Sequence, residues 1–335
     1  MRCFAPRPGE AVPHAGRSFP QIGAPLISIV IPAFDRPHLL AQALSSIVEQ
    51  TVAVPLEVIV CDDGGLGETR AVAQRLGGPH CRYLRNPRPL GAVGNWNRCL
   101  KEAAGKWVMI LHEDDALYPW YFECVVPRLE GAAGAVCMRT SRGAVVPAAR
   151  RPKGTPASLQ YEPRLFLKSS MTPFPGVLMR RDLAIRLGGF DERWGPIADY
   201  EFWYRLACAG RVEVVRATGA FYRVAPGQWT ERTWCRMLRL SHLLRLRIAR
   251  EQFPASPRVG RALARFFTLG NARCYLSRFG AGPADLVRCI SFRRCLFSRV
   301  PRGWVWRALR FASRPWDSHP WVEPDARAPQ IQQAR

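Results

Sequence analysis

Residues 111–119 read Leu111-His112-Glu113-Asp114-Asp115-Ala116-Leu117-Tyr118-Pro119, and the interpretation of the whole chain turns on them. The apolar run Trp107, Val108, Met109, Ile110 and Leu111 has the composition of a buried strand. It passes directly into three acidic residues before a proline stops further pairing. In an open α/β sheet, ligands bind beyond the carboxyl ends of the strands, so crowded carboxylates there suit a hard cation such as Mg²⁺ or Mn²⁺. Taken alone, an acidic triplet is better explained as a polar turn capping an edge strand. The neighbouring segments have to decide between the two.

Working outward, residues 26–34 (LISIVIPAF) form an apolar, β-rich run closed by Asp35-Arg36-Pro37. Leu39, Leu40, Ala43, Leu44, Ile47 and Val48 then recur at helical spacing. A second apolar run, 56–61, ends in Asp62-Asp63-Gly64-Gly65 and is followed by a helical pattern over 68–76. A short strand at 81–84, a helix over 94–104 and the strand over 106–111 complete the series. Strands alternating with helices predict a mainly parallel sheet with right-handed crossovers. The strand ends at Phe34, Asp62-Asp63 and Glu113-Asp115 would then share one edge and converge on one ligand. A nucleotide fits such an edge: Phe34 offers a ring to the base, Asp62 or Asp63 accepts from the base or the ribose hydroxyls, and Asp114 with Asp115 holds the metal that neutralises a pyrophosphate. Each residue also has an ordinary reading, Phe34 as a core aromatic and the Asp pair as a capped turn. No G-x-G-x-x-G follows the first strand and no G-x-x-x-x-G-K-[ST] occurs, which disfavours a Rossmann dinucleotide enzyme and a P-loop NTPase.

A chain of 335 residues that is 48% hydrophobic and 22% charged has the composition to build a sizeable globular core. No window carries the apolar run of about 18 residues that a membrane-spanning helix needs. The first 25 residues are broken by prolines and lack an apolar h-region, so they read as a disordered leader. The expected compartment is therefore the cytoplasm. Eleven cysteines without a C-x-x-C pair argue against a disulfide framework or a zinc module. The formal charge is +23, and residues 231–335 hold 21 Arg against 6 acidic residues, a net of +15. Such a balance suits an anionic partner, either an acidic membrane surface or nucleic acid. Arg outnumbers Lys 45 to 4, however, which points to codon bias as much as to function.

The segments SIVIPAFDRPHLLAQALSSIVEQ, LEVIVCDDGG, RNPRPLGAVGNWNRCLKEAAGKWVMILHEDD and GGFDERWGPIADYEFWYRLACAG resemble, in order and spacing, those of glycosyltransferase family 2. The resemblance covers about residues 26–225 and implies a GT-A fold and inverting transfer from a nucleotide-diphospho-sugar. It implies that Asp63, supported by Asp62 and Phe34, contacts base and ribose. Asp114, with Asp115, would belong to the metal-binding DXD-type motif and bring Mn²⁺ or Mg²⁺ to the donor, and Asp199 would be the general base. The chain departs from the pattern at His112, where many members have Asp and where a structural role is expected, and at Ala198, where a Glu usually precedes the base. By its own pattern Asp199 falls in the first turn of a helix. There the helix dipole would lower its pKa, while burial by Trp194, Tyr200 and Trp203 would raise it.

After Ala225 an amphipathic helix over 232–250 is legible, with Trp234, Met237, Leu238, Leu244 and Ile248 on one face, arginines opposite, and Arg245 breaking the pattern. Further helices are expected over 258–278 and 284–298. The expected organisation is a leader over 1–25, a GT-A domain over 26–225, an Arg-rich α-helical extension over 226–315 and a loose tail over 316–335. The expected partners are a nucleotide-sugar donor and a glycan or lipid-linked acceptor for cell-surface polysaccharide or glycolipid synthesis. The extension reads first as a helical subdomain packed on the catalytic core with solvated Arg faces, and compatibly as a platform that an anionic membrane surface on the inner face of the cell membrane would bind peripherally. Nucleic acid is the less favoured partner, tied to the alternative of a non-catalytic scaffold whose basic tail binds polyanions.

Overall fold

The computed structural model describes residues 24–64, 67–77 and 81–279. The chain begins with β1 (Ile27–Ala33), α1 (Pro37–Val48), β2 (Leu56–Asp62), α2 (Glu68–Leu76), β3 (Cys81–Arg85), α3 (Gly91–Glu102) and β4 (Trp107–Ile110). It continues with β5 (Ala116–Leu117), α4 (Tyr121–Val125), β6 (Ala135–Gly143), β7 (Ser158–Gln160), β8 (Val177–Arg180) and α5 (Arg181–Arg186). The last described elements are α6 (Ala198–Ala209), β9 (Val212–Arg223), α7 (Trp229–Gln252) and α8 (Pro257–Phe279). The expected leader, apart from its last two residues, the helix over 284–298 and the tail over 316–335 lie outside the described residues.

The strands form one sheet in the order β3-β2-β1-β4-β8-β6-β9-β5, with β7 paired to β9. Strands β3, β2, β1 and β4 are parallel, in the register Ile27 opposite Leu56 and Trp107. This is the strand and helix alternation read from the sequence. Beyond β4 the sheet is mixed, with β8 antiparallel to β4 and β6, and β6 parallel to β9.

Side chains alternate across the parallel half, so β1 feeds two cores. Ile29 and Ile31 pack with Leu40, Leu44 and Ile47 of α1 and with Tyr121 and Phe122 of α4. Val30 faces the other layer, shared with Trp96 and Leu100 of α3, Phe202 and Trp203 of α6, and Leu244 and Ile248 of α7. Pro37 opens α1, where its missing N–H is not needed. The turn before β4 requires Gly105, because a Cβ there would lie 2.7 Å from the Ser28 backbone nitrogen and Oγ.

The apolar face of α7 packs on the catalytic core, as the reading of a helical subdomain with solvated Arg faces expects. Leu238, Leu244 and Ile248 are fully buried in the protein, and Trp234 packs beside Leu238 and Ala272. Hydrophobic surface already covered by α8 and the sheet layer has no driving force left for a bilayer. The exposed stripe of α7 is basic instead, carrying Arg236, Arg239 and Arg250 with Leu243. Packing therefore continues across residue 225, and α7 is part of the main core. Among the described residues, no helix is long and apolar enough to cross a membrane.

Candidate active site

A cleft of about 1300 Å³ opens at the carboxyl ends of β1, β2 and β4. Phe34, Asp63, Asp114 and Asp199 all line it, brought together from four separate segments of the chain. Phe34 directly follows β1 with 57% of its surface exposed and is not a core aromatic. Its backbone N–H donates to both carboxylate oxygens of Glu113, at 3.0 and 3.1 Å.

The two neighbouring aspartates of β2 go opposite ways. Asp62 is fully buried, accepting from Tyr83 Oη at 2.5 Å and from the Gly64 backbone N–H at 3.1 Å. The structure does not bring Asp62 into the cleft, against its placing among the nucleotide contacts: strand alternation puts it on the sheet face opposite Asp63, where Tyr83 of β3 reaches it. Asp63 faces the cleft, with its carboxylate accepting from Asn86 Nδ2 at 2.6 Å and from the N–H groups of Leu90 and Gly91 at 2.7 and 2.9 Å. It thereby caps the amino end of α3, a helix later than the turn reading anticipated.

The acidic triplet divides its tasks. Glu113 is 1% exposed and is tied to Phe34 and to Arg36 Nε, the latter at 2.7 Å. Asp114 accepts from Arg36 Nη1 at 2.7 Å, so one arginine bridges both carboxylates. Asp115 accepts from the Arg223 N–H at 3.0 Å, while its buried Oδ2 has no hydrogen-bond partner. Burial and the adjacent Asp114 charge push its carboxyl well above the usual range. Arg223 holds the turn further, donating to the Asp114 carbonyl at 2.8 Å, the Ala144 carbonyl at 2.6 Å and Gln42 Oε1 at 2.7 Å.

His112 joins this group. It packs against Trp96 and Phe174, with ring centroids 5.5 and 4.6 Å away. Burial, opposed by Asp114 and aided by Arg36, pulls its pKa down to about 4. A neutral imidazole is the form that ligates a metal. Its Nε2 is buried without a partner, and ligand atoms of His112, Asp114 and Asp115 all lie within 4.8 Å of one another. Two orphaned buried polar atoms within such a cluster fit a divalent cation. His112, for which a structural role is expected, thus also stands among the residues that could hold a cation.

Asp199 lies in the first turn of α6 and accepts from the Tyr200 N–H at 2.7 Å. Burial outweighs that bond and lifts its pKa to about 6. A carboxylate raised into this range by burial suits proton abstraction near neutral pH. Ala198 is fully buried at the position preceding it. The other wall of the cleft belongs to α7 and α8, through Trp229, Met237, Ser241, Arg245 and Tyr275.

Comparison with known proteins gives the site a context. The model of the family described as Glycosyl transferase family 2 matches residues 28–188. An uncharacterised protein of Mycobacterium tuberculosis is 29% identical over 198 residues, 54% of this chain and 62% of that protein. The Escherichia coli UDP-Glc:alpha-D-GlcNAc-diphosphoundecaprenol beta-1,3-glucosyltransferase is 33% identical over 90 residues, 27% of this chain and 35% of that enzyme. The chain thus spans less than two thirds of the length of either relative. Among solved structures, S. aureus TarS 1-349 superposes with a TM-score of 0.60 at 15% identity, covering 85% of this chain and 86% of that one. A mannosyltransferase of Pyrobaculum calidifontis, solved with GDP-Man and Mn²⁺, has a TM-score of 0.52 at 18% identity and covers 86% of both chains. The architecture is therefore GT-A-like, a mixed sheet with a parallel half flanked by helices.

Proposed function

We propose, from the match of residues 28–188 to the model of glycosyl transferase family 2, that this chain is an inverting, metal-dependent glycosyltransferase. It moves a sugar from a nucleotide-diphospho-sugar to a hydroxyl of a lipid-linked glycan or polysaccharide precursor. The carrying observation is the convergence of Phe34, Asp63, Asp114 and Asp199 on a single cleft. The lipid-linked acceptor is supported by the named activity of the E. coli relative.

In this reading the exposed Phe34 ring receives the base and the Asp63 carboxylate accepts from the nucleoside. His112, Asp114 and Asp115 would hold the metal, whose chemistry is to stabilise negative charge on the departing diphosphate. An imidazole in the donor set favours Mn²⁺ over Mg²⁺. Asp199 takes the proton from the acceptor hydroxyl as that oxygen forms its bond to the anomeric carbon. The bond from that carbon to the diphosphate oxygen breaks on the opposite face, and the nucleoside diphosphate leaves with the electron pair. Trp96, Phe174 and Trp229 wall the cleft and exclude water. A scaffold that has lost its activity has less behind it, since an orphaned ligand cluster and a base lifted to about 6 are what an active site needs.

Peripheral attachment to an anionic leaflet would rest on the exposed arginines of α7 rather than on its buried apolar face. The deciding experiment is incubation with a panel of nucleotide sugars and Mn²⁺, following release of nucleoside diphosphate with a lipid-diphosphate-linked sugar as acceptor. Silence across the panel, together with no nucleotide binding, would overturn the proposal.

A further inference from the structure

Met237, Ser241 and Arg245 succeed one another at four-residue spacing along α7, and all three face the cleft. Arg245 is the residue that breaks the amphipathic pattern of this helix, and it is completely buried. Its Nε donates to the Leu167 carbonyl at 2.9 Å and its Nη2 to the Lys168 carbonyl at 3.3 Å. Its guanidinium carbon lies 5.7 Å from the centroid of the Tyr200 ring. Its Nη1 has no hydrogen-bond partner, and no carboxylate among the described residues pairs with it. A buried guanidinium held by two neutral carbonyls and the neutral Tyr200 side chain lacks the counter-charge that normally offsets its desolvation. Ser241 and Ser170 line the cleft with it, and both offer hydroxyls.

We infer that Arg245, with Ser241 and Ser170, forms the binding site for a phosphate or diphosphate group on the acceptor. The unpartnered nitrogen and the fork geometry of arginine suit an oxyanion, and the wall around it keeps the pair out of water. The donor diphosphate belongs to the opposite wall, where His112, Asp114 and Asp115, after β4, would hold its metal. Tyr200, under the guanidinium, directly follows the base Asp199 in the chain. The anionic group therefore sits close to the attacked hydroxyl, as when the accepting sugar is itself joined to a lipid through a diphosphate. This assignment rests on the glycosyltransferase reading for its biological meaning but not for its test.

The full-length protein is titrated in EDTA with inorganic pyrophosphate, geranyl diphosphate and geraniol, and separately with UDP in Mn²⁺. The expected result is binding of both diphosphates and not of geraniol, with Arg245→Met losing more than tenfold in affinity for both while UDP binding is unchanged. Arg245→Lys should recover part of the loss. Ser241→Val, which fills the space beside the guanidinium, should act like Arg245→Met if the latter does not fold. Arg232→Gln is the control for general basic attraction: it lines the same cleft but stands 13 residues earlier on α7, about 20 Å away at 1.5 Å per residue, and should change affinity less than twofold.

Equal pyrophosphate affinity in wild type and both site variants would overturn the inference. Parallel loss of UDP binding in Arg245→Met would overturn it too, by giving the site to the donor, and binding of pyrophosphate without geranyl diphosphate would remove the acceptor. A wild-type protein that binds diphosphates but never UDP with Mn²⁺ would refute the glycosyltransferase reading and leave the anion site standing.

Discussion

Replacing Asp199 by Asn should abolish most of the turnover and at the same time stabilise the fold at neutral pH. Burial lifts the Asp199 pKa from 3.8 to about 6. At 1.36 kcal/mol per unit, this corresponds to a cost of up to about 3 kcal/mol for keeping the group ionised in the native state. The sign follows from linkage: below pH 4 the carboxyl is protonated in both folded and unfolded chains and costs nothing. As pH rises through about 6, the unfolded chain has already released the proton while the folded one still resists, so native stability falls. An Asn side chain keeps the oxygen that accepts from the Tyr200 N–H and removes the charge. Thermal melts of both proteins from pH 4 to pH 8 should therefore coincide at the acid end and diverge upward. The variant should end several degrees more stable, at roughly 2–4 °C per kcal/mol for a chain of this size. Turnover should fall by about two to four orders of magnitude, with Mn²⁺ and UDP affinity unchanged, and wild-type activity should rise with pH through about 6. A variant less stable than wild type at pH 7.5, a stability difference that does not change with pH, or near-normal turnover would refute the assignment.

Asp114→Asn should weaken Mn²⁺ and UDP together, seen by calorimetry in the donor-only complex, and His112→Ala should lower Mn²⁺ affinity more than Mg²⁺ affinity; retention of full Mn²⁺ binding by both would remove the metal site. Phe34→Ala should raise the donor KM about tenfold with less than 1 kcal/mol change in stability, because the ring is 57% exposed and packs little core. Vesicle flotation should be salt-sensitive and dependent on anionic lipid, and should be lost in a triple Arg236, Arg239, Arg250→Gln variant, whereas Leu243→Ala alone should change little. Recovery with neutral vesicles would refute attachment through the basic stripe.

The acidic triplet at the end of β4, the alternation that builds the parallel half of the sheet, and Asp199 in the first turn of α6 were all legible in the sequence. Each depends on contacts between neighbours in the chain: periodicity, a strand ending in turn residues, a helix start. Arg36, Arg223 and Arg245 were not recognised as parts of the site, although Arg245 was visible as an outlier on an apolar face. The signal existed, but its meaning required knowing that Leu167 and Lys168 present their carbonyls 77 to 78 residues away.

The sequence by itself determined where the strands end and which residue types stand there, because side-chain periodicity and backbone propensity are local properties. Only the tertiary structure decided the rest. It sent Asp62 to Tyr83 and Asp63 to the cleft, brought His112 beside Asp114 and Asp115, covered the apolar face of α7 with protein, and raised the Asp199 pKa by burial. Those outcomes depend on solvent exclusion and on partners far apart in the chain, and desolvation is set by the packed surroundings rather than by residue order.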